Sequence, residues 1–403
     1  MPLIYSSHEK MFNENDHELM NILCLNTNIN RNDLGNCIDR IDLKEGTTQT
    51  DAVNVIDAAT CTNRIDLVVG TTQTDPIDVI IHPETRNAST QTVTIEANVR
   101  DAGFLDRIKS TRQLSSCTGL NSFSCFEKIC CAVSYYIQNR LEKDDVCSLD
   151  VHNRVLLTLM KIKISCSFLC LSVLFNVSNV TCQRYFSQTI RILSAILKPF
   201  IQWPSKESVQ NNFPEHFSAF PNTRVVLDCT EMAVYSAPCV TCRLQTYSHY
   251  KKRHTLKIMI GIAPSGMVSV ISKIFGGKAS DKFIMEYTKI VDLCDKNDMV
   301  MVDKGYVGEE ILCREKNIKL IRPPFRRGNC QLSYEKCEEN RGIARARVHV
   351  ERCIQRLKNF KILSSEIEWN MVTYMEDIIT VICGLVNLPP PILADDSFIG
   401  FDP

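Results

Sequence analysis

The sequence lacks an apolar run long enough to cross a bilayer. Its longest apolar stretch, Cys166–Val177, is short and is interrupted by serine, whereas a membrane-spanning helix needs about 20 apolar residues. A charged, apolar and small-residue segment of the kind that directs secretion is also missing near Met1. We therefore expect a protein that does not enter a membrane and that works in the cytosol or the nucleus.

A zinc-binding pattern is missing as well, although the chain contains 20 cysteines. Cys239 and Cys242 form the only CxxC pair, without a second such pair or a clear pair of histidine partners. Many other cysteines lie in apolar segments with a helix-like or strand-like pattern. We interpret them as reduced, buried thiols, as expected inside the cell.

An overall charge is also absent, because the 46 basic and 46 acidic side chains balance. The distribution is uneven. Residues 1–100 contain 15 acidic and 7 basic side chains, and residues 243–360 contain 24 basic and 13 acidic ones. A basic excess of this kind indicates either a solvated surface or an interface for nucleic acid.

The acidic region at residues 1–105 has almost no aromatic side chains, and its composition predicts a mostly disordered tail. It contains an internal repeat in which Cys37–Asp51 recurs as Cys61–Asp75. One interpretation is a duplication without function. The other is a repeated linear motif, because Thr48–Thr50 and Thr72–Thr74 resemble short strands that dynein-light-chain-like hub dimers bind at a sheet edge.

Residues 118–215 have a dense apolar pattern that predicts a small all-α region. Within it we predict a helix that ends at Phe175, a tight turn, and a second helix capped by Ser178. This order is typical of a helix-turn-helix, in which Gln183 and Arg184 would contact DNA. Many helical hairpins with the same pattern only pack against the rest of a protein.

Residues 221–390 alternate between strand and helix patterns. We predict three consecutive strands, a crossover helix that Ser280 caps, a parallel strand and a late helix. This order predicts a mixed α/β fold with an RNase H-like core. The predicted segments are strands at Arg224–Leu227, Leu256–Ile262, Met267–Ile274 and Met299–Val302, with helices at Ser280–Cys294 and Arg341–Lys358.

Three carboxylates in this region predict a metal site. Asp228 and Asp303 each follow an apolar run, and Glu351 lies in a helical, basic segment. Carboxylates at neighbouring strand ends concentrate negative charge, which Mg²⁺ or Mn²⁺ would neutralise. A pair of such metals is the usual device for in-line attack on a phosphodiester, so the pattern indicates a metal-dependent nuclease or strand-transfer enzyme.

Further acidic and basic side chains surround these three. We expect Glu231 to point to the face of its strand opposite Asp228 and to support the site indirectly. Asp281 is either a supporting acid or a helix N-terminal acid that complements the helix dipole. The basic residues that we predict to contact phosphate, or else to form a solvated basic surface, are Lys251, Lys252, Arg253, Lys257, Arg326, Arg327, Arg345, Arg347, Arg352 and Arg356.

Residues from about 118 to 388 resemble the DDE superfamily endonucleases and transposases of the PIF/Harbinger-like kind. Each matching stretch is weak alone, but their order and spacing are specific. The stretches are Trp203-Pro204, Phe220–Asn222, Asp228–Glu231, Gln245–Ser248, His254–Lys257, Gly261–Pro264, Gly276–Asp281, Val302–Tyr306 and Arg347–Arg352.

The resemblance implies that Asp228, Asp303 and Glu351 form a catalytic triad on an RNase H-like fold that binds a pair of divalent metals. It also implies an upstream helix-turn-helix, double-stranded DNA as partner, a homo-oligomer on DNA, a nuclear location, and cut-and-paste chemistry at inverted-repeat ends. The sequence departs from many relatives at Phe275, where they have Trp, and at Lys304–Tyr306, where they have Arg-Gly-Phe. A protein that keeps this fold and binds DNA without transposition is the competing hypothesis.

Overall fold

The computed structural model describes residues 103–140, 148–306, 316–324 and 333–389. The predicted disordered tail, its repeats and the two arginines Arg326 and Arg327 lie outside the described residues. All described residues belong to one compact unit. It has a mixed α/β fold in which helices come first along the chain and the sheet comes second. This order is consistent with an RNase H-like core.

Helices occupy the first part and cover the sheet in the second. They are α1 (Thr111–Thr118), α2 (Phe123–Arg140), α3 (Val151–Ile164), α4 (Phe168–Phe175), α5 (Asn179–Leu197), α6 (Lys206–Asn211), α7 (Val240–Thr246), α8 (Asp281–Thr288), α9 (Tyr334–Lys358), α10 (Lys361–Ser364) and α11 (Met375–Asn387). The strands are β1 (Thr223–Ala233), β2 (Tyr247–Ser248), β3 (Arg253–Ile262), β4 (Val268–Ile271), β5 (Phe275–Gly276), β6 (Met299–Met301) and β7 (Lys319–Ile321).

The sheet has the strand order expected of the predicted core. β1 and β3 are antiparallel neighbours, β4 pairs with the far side of β3, and β6 and β7 continue the sheet in parallel beyond β1. The β3–β4 hairpin turns at Gly266, whose positive φ of 91° suits a residue without a side chain. Three antiparallel strands followed by a parallel strand are therefore confirmed, and β7 adds a second parallel strand beyond the one predicted.

Three predicted boundaries were wrong. β1 extends to Ala233 rather than stopping at Leu227, because its second half pairs with β3 from Ile260 back to Thr255. The crossover helix α8 ends at Thr288 because Lys289 adopts a left-handed conformation with φ 53°. The late helix α9 begins at Tyr334, where Ser333 caps it, rather than at Arg341.

Side chains on the two faces of β1 enter different cores. Val226 and Met232 join the larger core, which contains buried residues of α9 and α11. Val225 and Leu227 join a smaller core with Ile284 of α8. Because side chains alternate along a strand, Asp228 belongs to the face of Val226, the face that α9 covers.

The larger core also includes the helices upstream of the sheet, so both parts are packed together. Asn387 connects them at one point. Its side-chain amide donates to the carbonyls of Phe200 and Val268, at 2.9 and 2.7 Å, and its oxygen accepts from Val268 N at 3.0 Å. The stretch Trp369–Asn387 is, within the described ranges, the one helical segment apolar and long enough to cross a membrane, and here it is packed into this core.

Candidate active site

Asp228 lies inside β1 rather than after its end. It is the sixth residue of the eleven-residue strand and pairs with Ile260 of β3. On its other side, the parallel pairing with β6 stops at Val226 and Met301. Asp228 is therefore past the end of the parallel strand, although its own strand continues, and this leaves its carboxyl group beside an open edge.

Asp303 follows β6 in a tight turn that Tyr306 anchors. The Tyr306 amide donates to the Asp303 carbonyl at 3.2 Å, and the buried Tyr306 hydroxyl lies 3.2 Å from Cys229 Sγ. Arg322, just after β7, donates to the Tyr306 carbonyl at 2.9 Å. These contacts hold the turn in place, while the Asp303 side chain stays 52% exposed.

The two aspartates lie on the same face of the sheet. Val226 pairs with Met301 in parallel register, so two residues further along each chain bring Asp228 alongside Asp303. Burial raises the pKa of Asp228 to about 6, and the neighbouring charges of Asp303 and Asp281 add to this increase, whereas Arg347 opposes it. The register thus brings two carboxylates to the same face of the sheet, where the charge of Asp303 adds to the increase that burial causes in the pKa of Asp228.

Arg347, on α9, supplies the positive charge at this edge. Its Nη1 atom donates to Asp303 Oδ1 at 2.5 Å, and only 12% of its side chain is exposed. We predicted a phosphate contact for Arg347, but its guanidinium is engaged with a candidate catalytic carboxylate. No local pattern in the sequence distinguishes Arg347 from the exposed arginines of the same helix.

Glu351 is exposed on α9, whose neighbouring residues Val350 and Ile354 are buried in the larger core. Its helix, α9, therefore packs on the face of β1 to which Asp228 belongs. Among the residues that the structure describes, no group of three or more acidic, histidine or cysteine side chains surrounds one point closely enough to hold a metal. The structure thus pairs the aspartates, and the third member remains a prediction.

Glu231 and Asp281 lie on the opposite side of β1 from Asp228. Glu231 accepts a 2.8 Å hydrogen bond from Thr255. Lys257 lies between the two acids, with Nζ 2.6 Å from Asp281 Oδ1 and 3.9 Å from Glu231 Oε1. Lys257 is 12% exposed and neutralises two carboxylates in the DNA-free protein, so its phosphate contact stays a prediction.

The helix-turn-helix has the predicted form. α4 ends at Phe175, and the Ser178 hydroxyl accepts from Thr181 N at 3.1 Å at the start of α5. Gln183 and Arg184 are exposed on the first turns of α5, with the Arg184 guanidinium 5.5 Å from the centre of the Tyr185 ring. Both side chains are placed where a recognition helix contacts DNA.

The hairpin between β2 and β3 carries exposed basic and aromatic side chains. Lys251 and Lys252 are exposed at its tip, and Lys251 Nζ lies 4.8 Å from the centre of the Tyr250 ring. Tyr250 is 82% exposed, which is unusual for so large an aromatic side chain. The sequence analysis missed Tyr250, although aromatic residues interleaved with lysine are a known signal for nucleic-acid contact.

The other basic residues predicted to contact DNA are of two kinds: some are exposed, and some bind other groups of the protein. Arg345 and Arg352 are exposed on α9. Arg253 pairs with Glu366 at 2.8 Å, and Arg356 donates to the Val386 carbonyl at 3.3 Å. Arg356 therefore helps to end α11, and its predicted role on DNA is not supported because its guanidinium serves the fold.

Two family models match the chain in consecutive segments. Residues 147–199 match the helix-turn-helix of DDE superfamily endonuclease, and residues 227–387 match the DDE superfamily endonuclease itself. Together the matches cover slightly more than half of the chain. The helix-turn-helix match precedes the endonuclease match, as the helices precede the sheet in the structure. No curated protein matches this sequence.

Proposed function

The chain belongs to the DDE superfamily endonucleases, and from this premise we propose that it is a metal-dependent DNA endonuclease with Asp228, Asp303 and Glu351 as its catalytic side chains. The observation that carries the proposal is the pairing of Asp228 and Asp303 at one edge of the sheet, where burial and like charge raise the pKa of Asp228 to about 6. Groups with such perturbed pKa values concentrate at functional sites.

The two carboxylates at this edge are donors of the type that a divalent metal prefers. Carboxylate oxygens are the ligands that Mg²⁺ and Mn²⁺ prefer, and the raised pKa of Asp228 marks a place where added positive charge is favourable. Asp228 and Asp303 would hold the metals, with Glu351 completing the set. Bound metals would supply Lewis-acid stabilisation of the phosphate and an activated water.

The chain's own residues set the geometry for this reaction. The turn closed by Tyr306 holds Asp303, and the antiparallel pairing with Ile260 holds Asp228. Arg347 donates its 2.5 Å hydrogen bond to Asp303 Oδ1, and we propose that it releases this oxygen when Asp303 binds a metal. We propose that a DNA phosphate receives the released guanidinium, because planar guanidinium groups bind phosphate oxygens well.

DNA would contact two exposed surfaces. The first is the start of α5, where Gln183 and Arg184 face solvent. The second is the hairpin tip formed by Tyr250, Lys251 and Lys252. The hairpin lies at the end of the sheet toward which β1 extends past β6, so duplex DNA that reaches Asp228 could also reach this tip.

Strand transfer at transposon ends is the finer form of the proposal. It rests on the family's cut-and-paste chemistry, in which the 3′-hydroxyl of a cleaved end attacks target DNA. Joining two inverted ends requires two active sites, so we also propose a homo-oligomer on DNA. Measuring the mass of the protein–DNA complex by light scattering tests this, and one protein chain for each pair of ends contradicts it.

Cleavage with matched variants tests the central proposal. We expect the full chain to cut DNA carrying the element's terminal repeats when Mg²⁺ or Mn²⁺ is present, and Asp303→Asn to bind that DNA but not cut it. Asp292→Asn is the control, because Asp292 is an exposed aspartate that pairs with Lys316. For α9, Glu351→Gln should abolish cutting, whereas Glu339→Gln on the same helix should not. Equal cutting by Asp303→Asn and the parent would overturn the triad.

A DNA-binding protein that no longer transposes is the second candidate. The observation that favours it is the hydrogen bond from Arg347 to Asp303, which neutralises one of the three carboxylates. Metal binding separates the two candidates. Titration of Mn²⁺ should raise the melting temperature of the parent but not of Asp228→Asn in an endonuclease, and should affect neither protein if the site is only structural.

The N-terminal repeat supports a further partner. We propose that Thr48–Thr50 and Thr72–Thr74 bind a dynein-light-chain-like dimer as added strands, with two copies on one chain increasing the effective concentration. A peptide of residues 37–75 titrated with such a dimer tests this, and absence of binding at high micromolar concentration contradicts it. A nuclear location follows from DNA as substrate, and imaging of the tagged full chain tests it.

A further inference from the structure

Cys239 and Cys242 bring two sulfur atoms unusually close. Their Sγ atoms are 2.8 Å apart and are joined by a thiol–thiol hydrogen bond. The backbone amide of Cys242 also donates to Cys239 Sγ, at 3.2 Å. Neither thiol is part of a disulfide, and both are partly exposed. Two sulfurs at this separation need little movement to form a bond, provided that their backbone positions permit it.

The local backbone does permit it. Cys239 is the extended residue that caps α7, and Cys242 is the third residue of that helix, so one turn separates them. The β-carbons of residues in such an N-cap and third-position pair lie on the same side of the helix, within the range that a disulfide bridges. The two residues between them, Val240 and Thr241, are exposed, so a small oxidant has access from solvent.

The other cysteines provide a comparison within the same protein. Burial raises the pKa of the thiols of Cys125 and Cys166, and it raises that of Cys182 to about 11. The pKa of Cys239 is lowered instead, first by the hydrogen bond with the Cys242 thiol and then by the Cys242 backbone amide. Reactivity of a cysteine follows its thiolate fraction and its exposure, and Cys239 combines both.

We propose that Cys239 and Cys242 form a redox-active dithiol that thiol–disulfide exchange converts into an intramolecular disulfide. Structural zinc is a poorer fit, because it requires four ligands, and no third cysteine, histidine or acid joins the pair within the described residues. The oxidant is a small-molecule disulfide such as glutathione disulfide.

The exchange proceeds in two balanced steps. The Cys239 thiolate attacks one sulfur of glutathione disulfide, so that its S–S bond breaks and one glutathione leaves as a thiolate, which takes up the proton that Cys239 lost. The Cys242 thiol then gives its proton to solvent and attacks Cys239 Sγ, and the second glutathione leaves and is protonated. Two protein thiols are oxidised, and one glutathione disulfide is reduced to two thiols.

Peptide mapping of the full chain tests the proposal. The folded protein is exposed to glutathione disulfide, quenched with acid, alkylated with iodoacetamide and cut with trypsin. Cleavage after Arg224 and Arg243 yields one peptide with Cys229, Cys239 and Cys242, in which Cys229 is the internal control because its thiol pKa is raised by burial. We expect the loss of two hydrogens at Cys239 and Cys242, an alkylated Cys229, and full reversal by dithiothreitol.

Two single substitutions assign the order of attack. Cys242→Ser should stop the reaction at the first step and leave glutathione on Cys239. Cys239→Ser should leave neither a disulfide nor a glutathione adduct at residue 242. Equal adducts on Cys242 in the Cys239→Ser protein would overturn the assignment of the attacking thiol. A pair that stays reduced while the exposed Cys170 and Cys337 become modified would overturn the dithiol itself.

Discussion

Arg347 donates a hydrogen bond from Nη1 to Asp303 Oδ1 at 2.5 Å, and the same atom lies 3.4 Å from the Val302 carbonyl. The guanidinium therefore joins α9 to the turn after β6, near Asp228, whose pKa is raised by burial. Its charge lowers the pKa of Asp228, while burial and Asp303 raise it. One side chain thus balances part of the negative charge that the strand ends bring together.

Removing this charge should shift the protonation of Asp228. We expect Arg347→Ala to raise the pKa of Asp228 above about 6, because the variant lacks the positive charge that stabilises the ionised carboxylate. Arg347→Lys should stay close to the parent, since it keeps a positive charge. Carboxyl chemical shifts followed by NMR across pH 4 to 8 measure the value, and identical titration in Arg347→Ala and the parent would contradict the electrostatic role.

Asp228→Asn should stabilise the metal-free protein at neutral pH. The folded-state pKa of Asp228 rises from 3.8 to about 6, so its neutral form stabilises the fold fully below about pH 4, and this contribution is lost as the pH rises through 6. The amide does not ionise, and we expect about 1–2 kcal/mol of added stability at pH 7.5. The difference should vanish near pH 4 in urea unfolding.

The control for this experiment is Asp292→Asn, whose side chain is 54% exposed and which should change stability little at either pH. An Asp228→Asn protein that is no more stable than the parent at pH 7.5 would show that the carboxyl group is adequately solvated. The same variant is expected to lose cleavage, so stability and activity should move in opposite directions.

The two surfaces proposed to bind DNA should respond differently to substitution. Gln183→Ala should change the preference between DNA sequences, because Gln183 lies on the first turns of α5, where base edges are reached. Its control is Gln210→Ala, an exposed glutamine on α6. Competition binding with randomised duplexes measures the preference, and an unchanged preference would leave α5 as a packing helix.

Replacing Lys251 and Lys252 with alanine should weaken binding to all sequences alike. We expect the slope of log affinity against log salt to become shallower by about 2, roughly one for each lysine that no longer binds a phosphate. Lys296 and Lys319, which are exposed elsewhere, provide a control with the same change in charge. An equal change of slope in both double variants would mean that net charge, and not the hairpin, determines binding.

Asn387→Ala should destabilise the whole described fold. The buried side chain makes three hydrogen bonds to backbone groups of Phe200 and Val268. Leaving such groups unpaired should cost about 2–4 kcal/mol, which urea unfolding measures. Asn359→Ala, at an exposed position, is the control. A single shifted transition is expected, and two separate transitions would show that helices and sheet unfold independently.

The sequence was sufficient for the order of strands, because buried strands appear as short apolar runs such as Met299–Met301. It was also sufficient for the helix-turn-helix, where Ser178 is a strong capping signal. The second half of β1 could not be predicted, because Cys229, Thr230 and Glu231 lack an apolar alternation. Its extension depends on pairing with β3, which is a long-range interaction that no local pattern records.

The candidate site was predictable to a similar degree. The proximity of Asp228 and Asp303 was expected from the apolar runs before them, although Asp228 lies inside β1 and only its parallel partner β6 ends beside it. The partners of the basic side chains were not expected, because Lys257 and Arg347 differ from exposed lysines and arginines only through what folding places beside them. Charge counts over a segment therefore indicated an interface, but they could not separate residues that face solvent from those that neutralise buried acids.

Asn387 joins Phe200, which follows α5, to Val268 of β4. Together with the larger core, which the upstream helices share with the sheet, this contact prevents the independent movement that a flexible linker would allow. If DNA binds both proposed surfaces, the fold fixes the distance between the bases at α5 and the phosphate at Asp228. Such a molecule would cut at one set spacing from its recognition sequence, and altering that spacing would require rebuilding its core.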